Sequence, residues 1–87
     1  MPDAYTKMRL AAAINDLIRT KGITQTQAAE QLGINQPKIS ALMNYRLTGF
    51  SVERLMHFLN ALGQDVEIVI RKRPARAKAG RISVRAA

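Results

Sequence analysis

The chain has 87 residues, a net charge of +8 and no cysteine. That length suffices for one small domain, which buries only about 60% of the surface its unfolded form exposes, so dimerisation would help to close the gap. Without cysteine a disulfide framework and a thiolate metal site are excluded, and no apolar run is long enough for a signal peptide or a membrane span; a cytoplasmic protein is expected.

The charge is unevenly spread. Arg71, Lys72, Arg73, Arg76, Lys78, Arg81 and Arg85 stand in a stretch with no acid, while residues 1–70 hold seven bases against six acids. The expected organisation is therefore a nearly neutral folded domain over residues 1–71 and a basic, disordered tail over 72–87. Such a tail is attracted to a polyanion, nucleic acid first among them, or else keeps the chain soluble as a solvated end.

In chain order, Asp3 or a neighbour can cap a first helix running to about Lys21. Its residues Leu10, Ala13, Ile14, Leu17 and Ile18 fall at i, i+3, i+4, i+7 and i+8, one apolar stripe. Gly22 then suits a left-handed C-terminal position, with Ile23 folding back on the helix end. The bases Lys7, Arg9, Arg19 and Lys21 read as a solvated face.

Thr24 to Gln27 has the T-x-x-Q spacing of a capping box and starts a short second helix that ends at Gly33. Asn35 can cap a third helix, with Pro37 in its first turn where a missing N–H removes no helical bond. That helix runs through Leu42, and Asn44 with the loop YRLTG ends it. Ser51 caps a fourth helix from Val52 to Leu62, across which Phe50 can staple onto Leu55; Gly63 closes it. His57, the one histidine, falls on the polar side of that helix without a partner at ligand spacing and is read as inert.

Beyond Gly63 the period changes from helical to two. Val66, Ile68 and Ile70 alternate with Glu67, Val69 and Arg71, which predicts a strand over 65–71. A lone strand cannot satisfy its own backbone. Pairing with its copy across a two-fold axis is the favoured solution, making Val66, Ile68 and Ile70 a dimer strand. Folding back on Arg81–Arg85 is the alternative, through a loop that is long and self-repelling for a hairpin.

The stretch Thr24–Asn44 carries the chemistry. Ala28 and Ala29 are small enough for two helices to cross closely, Leu32, Ile34, Ile39 and Leu42 supply the apolar contact, and Gly33 permits the turn. Gln36, Pro37, Lys38 and Ser40 then face outward. Glutamine can bond adenine in two places and lysine prefers guanine acceptors, so amide, ammonium and hydroxyl groups in this row suit base edges in a major groove. The alternative is a small helical bundle that uses the same turn only for packing.

On Gln25, Ala29, Gly33, Ile34, Gln36, Ile39, Leu42 and Asn44, followed by the helix SVERLMHFLNALG, residues 24–62 resemble the helix-turn-helix of the Cro and repressor-like (Xre) family. The resemblance implies that Gln25 bonds a phosphate and steadies Gln36, that Gln36, Pro37, Lys38 and Ser40 contact bases, and that Asn44 contacts a phosphate. Arg46 and Thr48 in the following loop suit further phosphate contacts. Pro37 departs from the family's polar side chain; it offers a thymine-methyl contact or shapes the helix start. The layout of a short domain, a DVEIVI strand and a basic tail resembles the HigA-like antitoxins.

The expected fold is thus mainly α: a Cro/repressor-like bundle of four helices with one C-terminal β-strand, paired across a dimer. The expected function is a sequence-specific, DNA-binding regulator, a repressor, of bacterial or phage origin. It would act as a homodimer on a palindromic operator in double-stranded DNA, with two third helices about 34–36 Å apart. The resemblance to HigA-like antitoxins implies the antitoxin of a small toxin protein. The alternatives are a protein-interaction module that neutralises such a toxin, and a non-specific nucleic-acid binder acting through its tail. No paired carboxylates, phosphate-cradling glycine loop or metal-ligand cluster occurs, so no catalytic residue, metal or cofactor is expected.

Overall fold

The computed structural model describes residues 3–86. Four helices follow in order: α1 (Asp3–Lys21), α2 (Gln25–Leu32), α3 (Gln36–Met43) and α4 (Val52–Ala61). Asp3, one of the expected caps, is the first residue of α1, and the position before it lies outside the described residues. The long α1 packs mainly on α4, while α2 and α3 pack on each other and are tied in turn to α4 and α1.

One core holds the four together. Leu10, Ala11, Ile14 and Ile18 of α1 meet Ala28, Ala29 and Leu32 of α2, Ile39 and Leu42 of α3, and Leu55, Phe58 and Leu59 of α4. Ile14, Ile39, Leu42, Leu55 and Leu62 are the large side chains buried completely. Each contributes roughly 1.5–3 kcal/mol by leaving water. The buried stripe of α1 includes Ala11, and Ala13 and Leu17 sit at its edge, half-buried.

The local signals act where the spacing placed them. Thr24 caps α2 with a full capping box, Asn35 caps α3 by accepting from the Lys38 N–H at 2.9 Å, and Ser51 caps α4 by accepting from the Arg54 N–H at 3.0 Å. Phe50, before that last cap, is buried with Leu55 in the core. α2 stops at Gly33, whose φ of +68° only glycine adopts freely, and Ile34 N–H donates back to Ala29 O at 3.0 Å. α3 turns off at Tyr45 with a φ of +59°, a conformation that disfavours a side chain by about 1–2 kcal/mol. Arg46 N–H donates to Ala41 O at 2.8 Å across it.

One expectation is corrected. Among the described residues there is no β-strand: residues 65–71 form no ladder, and no backbone bond joins them to 81–85. Alternation supplies a strand's side-chain pattern but not its partner. Within the chain the obvious partner lies across a connection holding Pro74 and the bases Lys72, Arg73, Arg76 and Lys78, whose mutual repulsion opposes a hairpin. Val66, Ile68 and Ile70 are accordingly exposed, by 36%, 74% and 93%.

Residues 64–86 instead run as an irregular arm along α1 and α4. A turn bond from Ala77 N–H to Pro74 O shapes its middle, while Val84 packs on the core and accepts from Arg9 Nε through its carbonyl. The arm raises the radius of gyration to 14.3 Å, against about 12 Å for a compact chain of this length.

The turn at Gly33 yields a direct prediction. An added Cβ there meets no atom, so Gly33→Ala strains only the backbone. It should destabilise by about 1 kcal/mol, lowering Tm by about 4–8 °C in a calorimetric scan. An unchanged Tm would show that the turn relaxes without strain.

Candidate nucleic-acid interface

The first turn of α2 ends in an electropositive corner. Gln27 N–H donates to Thr24 Oγ1 at 3.1 Å, and Thr24 N–H donates to Gln27 Oε1 at 2.8 Å. Between them, the N–H groups of Gln25 and Thr26 precede the first helical bond, which Ala28 N–H makes to Thr24 O. Two free N–H groups at the positive end of a helix form a seat for an anion such as a backbone phosphate.

The crossing of α2 and α3 sets Gln36 against this corner. Buried Ala28 and Ala29 on one helix face buried Ile39 and Leu42 on the other within one core, and their small size keeps the helices close. Gln25 Nε2 donates to Gln36 Oε1 at 3.4 Å, and Gln36 Nε2 donates to Thr26 Oγ1 at 3.4 Å. Both bonds are long, hence weak, yet together they define both ends of the Gln36 carboxamide. One N–H and one lone pair of that group remain for an adenine edge. Thr26 has no role in the sequence reading; an exposed hydroxyl in a helix's first turn is common, and only the crossing brings it to a side chain ten residues away.

The other residues expected to read bases or hold phosphates fall into two groups. Gln36 and Pro37 are exposed in the first turn of α3, and Ser40 is half-buried one turn on, along the same side. Asn44, Arg46 and Thr48 are exposed in the loop between α3 and α4, anchored by buried Leu47 and Phe50. Asn44 caps α3 and its Nδ2 donates to Ser40 O at 2.8 Å, leaving a second N–H outward. Lys38 is placed differently. Its Nζ donates to Gly49 O at 3.0 Å and lies 4.8 Å from the centroid of the Phe50 ring.

Further aromatic contacts extend that anchor into α4. Phe50 meets Phe58 edge-on at 5.9 Å, and the Arg54 guanidinium lies 5.4 Å from the Phe58 ring. At the other end of α3, Asn15 of α1 donates from Nδ2 to Leu42 O at 3.2 Å, a second bond to a carbonyl that also accepts from Tyr45 N–H. Asn15 is a second residue that sequence reasoning passed over. Its one signal is a polar side chain beside the apolar stripe, four residues after Ala11 and three before Ile18.

Charge is sparse on this face. α2 carries only Glu30 and α3 only Lys38, so Arg46 is the cation standing free in the adjoining loop. Val66, Ile68 and Ile70 lie elsewhere. With the rest of the arm they line an open groove of about 2030 Å³ against Leu10, Leu17, Val52 and Met56, to which neither α2 nor α3 contributes. His57 lies on the solvent side of α4, 3.7 Å from Glu53, a pair worth little at such exposure. No helix among the described residues is long and apolar enough to cross a membrane.

Thr26→Val tests the carboxamide's second anchor, since it keeps the shape and removes the hydroxyl. Stability should stay within about 0.5 kcal/mol, while the Gln36 side-chain amide resonances should show averaging absent from the parent. Identical amide spectra would remove Thr26 from the site.

Known proteins share this arrangement. The profile of a family described as a helix-turn-helix domain matches residues 3–71. A solved structure provisionally described as an XRE family transcriptional regulator is 62% identical and superposes with a TM-score of 0.94. The alignment covers 98% of this chain and 96% of that one. No curated protein matches the chain. With most of its length inside the family profile and a near relative aligned end to end, the chain belongs to the helix-turn-helix domain family and is an Xre-type helix-turn-helix protein.

Proposed function

We propose that the chain is a DNA-binding transcriptional regulator, a repressor that acts as a homodimer on a palindromic site. The observation that supports this most directly is the Gln36 carboxamide, held by Gln25 and Thr26 at the exposed start of α3. A side chain oriented in this way suits base reading better than packing, since it buries nothing. Pro37 and Ser40 extend the reading row. Gln25, with the free N–H groups beside it, holds one phosphate, and Asn44, Arg46 and Thr48 hold others. The exposed residues Val66, Ile68 and Ile70 supply the contact between subunits.

Selection of bound DNA from a random pool tests specificity and half-site spacing together. Gln36→Ala should then lower discrimination by about 1–3 kcal/mol at one base pair of the selected site. An equal loss on selected and random DNA would overturn the base-reading role. Expression of a reporter placed behind the selected site should fall when the protein is supplied; a rise would make it an activator.

The arm contributes affinity and not preference on this reading. Removing residues 72–87 should weaken binding to all DNA and flatten its dependence on salt, with the ranking of sequences unchanged. Loss of the ranking would move specificity into the arm.

A second reading is favoured by the groove between the arm and the α1–α4 face, whose lining mixes exposed apolar residues with bases. Here the protein is also an antitoxin that holds a small toxin protein. Co-expression with the neighbouring reading frame should then co-purify that partner, and a failure to do so removes this reading without touching the first.

A further inference from the structure

The ammonium of Lys38 is already engaged. Lys38 is the one base of α3, and its backbone N–H is fixed by the Asn35 cap at 2.9 Å. Its side chain then reaches across to the loop that follows the helix. Nζ donates to the carbonyl of Gly49 at 3.0 Å and stands over the ring of buried Phe50 at 4.8 Å. A charge-assisted bond and a ring face on the same group add up to a defined seat, and a lysine reading guanine from the groove would have to leave both.

The seat is matched to its occupant. A Cβ built on Gly49 would stand 2.8 Å from Nζ, so any larger residue crowds the ammonium. Gly49 is not among the glycines with positive φ, so its backbone does not require glycine; an added Cβ would displace only the flexible end of the Lys38 side chain from this seat.

What the seat holds is the loop. Arg46 and Thr48 are exposed on either side of buried Leu47, with buried Phe50 closing the loop, and Lys38 ties the far end of that loop to the first turn of α3, eleven residues earlier. Through Phe50 and Phe58 the same contact continues into α4. The phosphate-facing loop and the row Gln36, Pro37 and Ser40 are thereby set at one fixed offset. A fixed offset is what a rigid duplex demands of groups that meet its backbone and its base edges at once.

We propose that Lys38 is a positioning residue, which braces the loop bearing Arg46 and Thr48 against α3, and not a reader of bases. The proposal rests on α3 being the DNA-reading helix. Two substitutions separate it from the alternatives: Lys38→Met removes the ammonium and keeps the stem, whereas Gly49→Ala crowds the ammonium from its seat and keeps its charge. Both are measured on the full chain, on DNA selected by the unsubstituted protein and on single-base variants of it, well below the melting temperature of each variant.

A brace predicts a loss shared across all these DNAs, about five- to tenfold for Lys38→Met and smaller for Gly49→Ala, with base preference unchanged. Amide hydrogen exchange of residues 44–50 should rise in both variants, with DNA absent, while the helices keep their protection. If Lys38 reads a base, Lys38→Met erases preference at one base pair and Gly49→Ala, which frees the ammonium, does not weaken binding; that result overturns the proposal. If it only neutralises a phosphate, Lys38→Met lowers the salt slope by about one and Gly49→Ala is silent, which overturns it too. Should the protein select no sequence from the pool, the DNA-reading role of α3 falls by itself. The brace is then judged on loop exchange, and unchanged exchange in both variants overturns it.

Discussion

Helix α3 has only eight residues, about 12 Å of helix, and a segment of that length is marginal in water on its own. It persists because Ile39 and Leu42 are buried completely in the core they share with Ala28 and Ala29 of α2. That burial is the constraint on which the rest depends. It decides which side of α3 points inward, and therefore that Gln36, Pro37 and Ser40 point away from the core. It also sets the crossing that brings Gln36 to the first turn of α2. A bulkier residue at Ala28 or Ala29 would separate the helices and dissolve the carboxamide's anchors without touching a single polar group.

Around that crossing the protein closes its polar ends locally. Thr24, Asn35 and Ser51 each accept a backbone N–H that the helix start would otherwise leave open, and Asn15 covers a carbonyl at the end of α3. Each bond is modest, but each pins a helix terminus, and the groups facing outward are carried on those termini. Tyr45 in a left-handed conformation belongs to the same economy of short turns: it redirects the chain within one residue, so that Arg46 and Thr48 emerge beside α3.

The distribution of charge divides the molecule. The helical body holds its α2–α3 face nearly neutral, so attraction to a polyanion has little support there beyond Arg46. The bases of the arm lie on the side of α1 and α4, away from α2 and α3 in the single chain. On the function proposed above, affinity and discrimination fall to different parts, a division common among proteins that bind DNA, where phosphate contacts hold and base contacts specify.

The helices were legible because each carries its instructions within a few residues: a cap, a period of 3.6, a stop. T-x-x-Q before Ala28, Asn35 before Pro37 and Phe50–Ser51 before Val52 mark the starts of three of them to the residue. Outwardness of Gln36 and Pro37 follows from the same period. The strand over 65–71 was misread because a strand is a relation between segments, and alternation describes only one of the two. For the site, the residue types were visible but not their partners. Thr26 and Asn15 act across ten and 27 residues, and Lys38 looked free on a helical wheel. Local sequence therefore determined the four helices, their ends and the polar face of α3. Which polar groups meet, and that the Lys38 ammonium is seated on Gly49 and Phe50, was decided only by tertiary structure, because contacts distant in sequence depend on how the core sets the helices.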